Sequence, residues 1–105
     1  MSIELQRAID LITDRSRWTT GVAARDVNGA AAEPDDPAAV CWCGQGAMAK
    51  EKVSRTLQRW VSVYCRAVFP PSGGLTCTND GPDGRALIIE AMQAVLDGWI
   101  PEIYR

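Results

Sequence analysis

Apolar residues recur at helical spacing in three segments of this chain. Ile3, Leu5, Ala8, Ile9 and Ile12 line one face of residues 2–16, with Ser2 placed to cap the first turn. Val53, Leu57, Trp60, Val61, Tyr64 and Val68 draw a second stripe over residues 51–69. Ile88, Ala91, Met92, Val95 and Trp99 draw a third, over 84–97, with Asp80 or Asp83 as its cap and Gly98 and Pro101 as its stop. Each stripe predicts an amphipathic helix packed on a common core.

The intervening segments read differently. In residues 21–33, Asn28-Gly29 lies between two short runs of alanine and valine, the sequence signal of a tight hairpin. The run Glu33-Pro34-Asp35-Asp36-Pro37 reads as a helix start, aspartate as N-cap and proline at the first helical position. That places the next stretch, Cys41-Trp42-Cys43-Gly44-Gln45-Gly46-Ala47-Met48, on a helix. Gly44 and Gly46 cost such a helix roughly 1 kcal/mol each relative to alanine, so their presence predicts close approach of another backbone. Pro70-Pro71 and Gly73-Gly74 break the chain, residues 75–78 (LTCT) suit one short strand, and 79–84 turn into the last helix. The expected fold is mainly α: one small domain, 1–105, of about four helices with a short β-hairpin or three-stranded β element.

Composition narrows the function classes. A chain of 105 residues, 47% hydrophobic and 23% charged, suits one modest core, and a net charge of −2 attracts neither nucleic acid nor an acidic membrane as a whole. The first 18 residues mix acids and bases with no apolar run suited to a signal peptide or membrane span. The expectation is a cytoplasmic protein with free thiols.

Candidate chemistry is thin. Cys41 and Cys43 are one residue apart and Cys65 and Cys77 eleven apart, unlike the paired spacing of structural zinc sites. On a helix, positions 41 and 43 would point apart, which disfavours both a shared ion and a redox pair. With no histidine in the chain, the usual base for a cysteine or serine nucleophile is missing. Asp26, Glu33, Asp35, Asp36, Asp80 and Asp83 all fall at turns or caps, and the glycine-rich stretch lacks phosphate-loop spacing. No metal, cofactor or catalytic residue is assigned.

One surface feature stands out. Lys52, Arg55, Arg59, Ser62 and Arg66 fall on one line of the predicted 51–69 helix, opposite its apolar stripe, and Lys50 extends it. The cations span about 20 Å at 1.5 Å per residue. Lys52, Arg55, Arg59 and Arg66 are the candidate partner-binding residues, suited to an acidic protein surface or to phosphates.

Trp18, the run Ala24-Arg25-Asp26 with Gly29, the run Asp36-Pro37 through Ala39, Trp42-Cys43 and Gly46-Ala47-Met48, and Asn79-Asp80 before the final helix together carry a resemblance. The sequence resembles a domain-of-unknown-function family of small bacterial and phage proteins marked by a W-C-x-x-G-A-[LM] helix and an N-D turn. The likeness runs from about residue 5 to 98; Cys41 and Cys77 depart from its pattern. It implies no reaction. It does imply a mobile-element setting, in which small proteins often bind and block a host machine, including CRISPR effectors.

The leading expectation is therefore a non-catalytic protein-binding module, plausible as a phage or mobile-element inhibitor of a host protein or nucleoprotein complex. Direct nucleic-acid binding through the same basic face is the alternative, and an enzyme with a carboxylate or thiolate centre the second. No membrane partner is expected.

Overall fold

The computed structural model describes residues 2–69 and 74–105. Among them, helix α1 (Ile3–Thr13) opens where Ser2 Oγ accepts the Leu5 N–H at 3.1 Å. Leu5, Ala8, Ile9 and Ile12 are its buried face. A short 3-10 turn at Arg15–Arg17, capped by Asp14, then leads to Trp18.

The predicted hairpin is present. Strands β1 (Ala24–Asp26) and β2 (Ala31–Ala32) pair antiparallel around a turn with Gly29 at φ 82°. One carboxylate oxygen of Asp26 accepts the N–H groups of both Asn28 and Ala30, fixing the turn that the asparagine-glycine pair announced.

The third strand lies elsewhere than expected. The LTCT segment is not a strand; instead β3 (Ala39–Trp42) joins β1 in the order β2-β1-β3. The predicted helix start at Asp36-Pro37 is thereby overturned. Asp36 accepts the Ala38 N–H with its side chain, closing a local turn at 2.8 Å, and the chain leaves it extended. Val40 and Trp42 suit a pleated strand, and Trp42 anchors it by burying its ring and donating Nε1–H to the Pro34 carbonyl at 2.8 Å. Trp18 forms an isolated parallel bridge to Trp42 on the strand's other side.

The helix after β3 begins only at Gly44. In α2 (Gly44–Lys50), Cys43 is the N-cap and its sulfur accepts the Gly46 N–H at 3.2 Å. The close approach expected at the glycines is real: a Cβ on Gly46 would overlap the Ala23 carbonyl oxygen, which also accepts the Cys43 N–H. Helix α2 closes with Lys52 N bonded to Ala49 O and Val53 N to Met48 O. That pair of bonds is a Schellman stop, and it puts Lys52 at φ 61° in the left-handed region.

Helix α3 (Arg55–Val68) therefore starts four residues later than predicted, capped by Ser54. Lys52 lies outside it. Val61 and Cys65 are its fully buried residues, while Val68 is 44% exposed. The predicted break at Pro70-Pro71 and Gly73 lies outside the described residues.

Residues 75–80 form helix α4 (Leu75–Asp80), which replaces the expected strand. Leu75, Thr78 and Asn79 are buried at i, i+3 and i+4, and Ser62 Oγ of α3 accepts the Leu75 N–H at its start. Helix α5 (Gly84–Leu96) follows; Asp83 occupies the cap position but makes no side-chain capping bond. Ile88, Ala91, Met92 and Val95 are buried because α5 packs against both α1 and α3 at the centre of the molecule. The architecture is mainly helical with a small three-stranded antiparallel sheet. No helix among the described residues is long and apolar enough to cross a membrane.

Candidate functional site

Three segments far apart in sequence meet at Asn79, a side chain 2% exposed. Its Oδ1 accepts the Gly44 N–H at 2.9 Å and Trp18 Nε1–H at 3.3 Å. Its Nδ2 donates to the Thr19 carbonyl at 3.3 Å and to Asp80 Oδ1 at 3.0 Å. Two donors face one end of the amide and two acceptors the other, so its orientation is fixed by chemistry. With all four bonds used internally, Asn79 is a clamp and not a ligand contact.

Asp80 is the clamp's exposed neighbour. Its Oδ1 also accepts the Gly21 N–H at 3.1 Å. The loop that presents Gly21 is held in turn by Arg25, whose guanidinium donates to Thr19 Oγ1, the Thr20 carbonyl and the Gly29 carbonyl. Hairpin, loop and α4 are thereby tied into one wall. Between them lies a pocket of about 170 Å³ lined by Gly21–Ala23, Cys43, Gln45, Leu75, Thr76, Asn79 and Asp80.

Cys43 is the pocket's thiol, and its environment works against nucleophilic use. Burial pushes its pKa above the usual value, outweighing the Gly46 and Gln45 N–H groups that favour the thiolate, and the Asp80 charge raises it further. Near neutral pH it is held as a thiol. Cys41 points its sulfur toward the Arg25 carbonyl at 4.0 Å and Cys65 is sealed in the core beside Thr78. All four cysteines are free. Because Cys41 is on a strand and Cys43 at a cap, the helix-based argument for their pointing apart does not apply. Among the described residues, no group of three or more Cys, Asp or Glu side chains is arranged to hold a metal ion.

The candidate basic residues divide. Arg55, Arg59 and Arg66 are exposed on α3 and fall on one line of it, within about 16 Å at 1.5 Å per residue. Lys52 is exposed but sits on the α2–α3 connection. Ser62, expected in the stripe, is committed to the start of α4. Lys50 leaves the stripe as well: it lies on α2 with its ammonium 5.5 Å from the centre of the Trp42 ring. Arg59 borders an open groove of about 350 Å³ between α3 and α4, with Gln58, Ser62 and Cys77. That groove shares Gln45, Leu75 and Thr76 with the Asp80 pocket, so the two are neighbours along α4.

In the sequence, Asn79 reads as part of a turn and Asp80 as a cap, and neither role points to the pocket. The spacing of Leu75, Thr78 and Asn79 at i, i+3 and i+4 is a helical signal that could have placed α4 with Thr76 and Asp80 facing out, but not the pocket's other walls. No protein-family model, curated protein or solved structure matches this chain.

Proposed function

We propose that this chain is a non-catalytic protein-binding module whose contact surface is the Arg55/Arg59/Arg66 line of α3. The observation that carries the reading is the exposure of three arginines along one line of a helix that is buried elsewhere through Val61 and Cys65. Guanidinium groups spaced in this way suit carboxylates or phosphates of a partner through paired hydrogen bonds. The catalytic alternative is disfavoured by the protonated state of Cys43. It is disfavoured also by the local bonds that occupy Asp14, Asp26 and Asp36 within their own turns.

A narrower form of the proposal makes the protein a cytoplasmic inhibitor, of phage or mobile-element origin, that covers an acidic face of a host defence complex such as a CRISPR effector. Its support is the family resemblance together with the arginine line. Affinity capture with quantitative mass spectrometry tests the general reading. A protein partner retained by the wild type and lost by Arg55→Glu/Arg59→Glu is the expected result. Titration against DNA and RNA at two salt concentrations separates the other use of the same arginines, since phosphate binding must weaken steeply with salt. Tight, salt-dependent binding to either nucleic acid, with no protein captured, would overturn it.

A further inference from the structure

The Asp80 pocket is a different feature from the arginine line, and its chemistry has the opposite sign. Val22, Ala23 and Leu75 give it apolar wall, while Asp80 brings the charge. That carboxylate is oriented: Oδ1 is held by the Gly21 N–H and the Asn79 amide, and among the described residues no donor reaches Oδ2. The clamp beneath cannot turn, because all four Asn79 bonds are internal. Among the described residues, no cationic side chain lines the pocket. Its neighbour Arg25 is engaged with Thr19, Thr20 and Gly29.

A volume of about 170 Å³ is close to that of cavities that take a benzene-sized apolar group. It is therefore large enough for a short aliphatic chain. An apolar wall that ends at a fixed, half-used carboxylate matches a side chain with a methylene stem and a cationic tip, the amphipathic shape of lysine and arginine.

We propose that this pocket is a socket for a lysine or arginine side chain of a protein partner, gripped by its stem on Val22, Ala23 and Leu75 and by its charge on Asp80. The inference deepens the protein-binding reading and rests on it for the identity of the occupant. Because the pocket shares Gln45, Leu75 and Thr76 with the groove bordered by Arg59, a bound segment that places its cation in the socket could set an acidic residue beside the arginines.

The test uses n-butylammonium as the probe, with butyrate and 1-butanol as controls, read by amide chemical shifts of the full chain at low salt. n-Butylammonium is expected to shift the amides of Gly21, Thr76 and Asp80 in a saturable manner, and butyrate is not. Asp80→Asn keeps the acceptor for Gly21 and removes the charge, so it should abolish the response without unfolding the chain. Thr76→Phe, at an exposed position, should block the pocket independently. Arg55→Glu/Arg59→Glu should leave the response unchanged. Equal shifts with butyrate or butanol, or an undiminished response in Asp80→Asn, would overturn the socket. Loss of partner capture in the arginine variant alongside a silent pocket would reject the socket and leave the protein-binding reading standing.

Discussion

Asn79 holds Gly44: the buried side-chain oxygen accepts the first N–H of α2 at 2.9 Å, across 35 positions of sequence. The same oxygen takes the Trp18 indole, so the segment that follows α1 is fixed to α2 and α4 through a single amide. Asn79→Ala would leave the Gly44 N–H, the Trp18 N–H and the Thr19 carbonyl without partners. An unsatisfied buried polar group costs about 1–3 kcal/mol, so a loss of about 3 kcal/mol or more is expected by urea denaturation. A variant within about 0.5 kcal/mol of wild type would show that the clamp contributes little.

Gly46 makes a sharper test of backbone packing. At an open helical site, Gly→Ala gains up to about 1 kcal/mol. Here the added methyl would strike the Ala23 carbonyl oxygen, which cannot move without disturbing its bond to Cys43 N. Gly46→Ala should therefore destabilise, by about 1–3 kcal/mol, and Gly46→Leu by more. Thermal melts of the two variants check both sign and order.

Lys52 sits at a helix stop that glycine usually fills, with φ 61°. Relieving the left-handed backbone should make Lys52→Gly more stable by about 1 kcal/mol. If Lys52 also serves in partner binding, the stabilised variant should capture less partner. Parallel melts and capture measurements separate the two effects.

The four thiols should sort by environment. Cys77 is exposed and should label first; Cys41 and Cys43 are half-buried, and Cys65 should label only on unfolding. Burial pushes Cys65 from its usual 9.0 to about 11. Its folded pKa is thus raised, so its contribution is complete below pH about 9 and is lost as pH rises through about 11, worth on the order of 2–3 kcal/mol. The urea midpoint of the wild type should fall over that window more steeply than that of Cys65→Ala. Parallel curves would contradict the assignment.

How much of this was legible in the sequence follows the range of the interactions involved. The α1 and α5 stripes and the Asn28-Gly29 turn depend on neighbours a few residues away, and those elements stand where their spacing put them. β3 was misread because Asp36-Pro37 is a sound local helix start, whereas the strand's partner Ala24–Asp26 is remote in sequence. α4 was misread because LTCT has strand-like propensity, and the Ser62 hydroxyl that starts the helix comes from α3. The arginines of α3 could be read from spacing alone. The socket could not, since its walls come from the 21–23 loop, the start of α2 and α4.

If the arginine line of α3 is a protein-contact surface, a reactive group beside it should capture that protein. A photo-cross-linking amino acid at Thr56, beside Arg55, supplies that group, with the same amino acid at exposed Arg7 on α1 as the control. In cells expressing the chain, a discrete protein adduct is expected from position 56, absent from position 7 and abolished by Arg59→Glu. Adducts only with nucleic acid, or the same protein adducts from both positions, would contradict it.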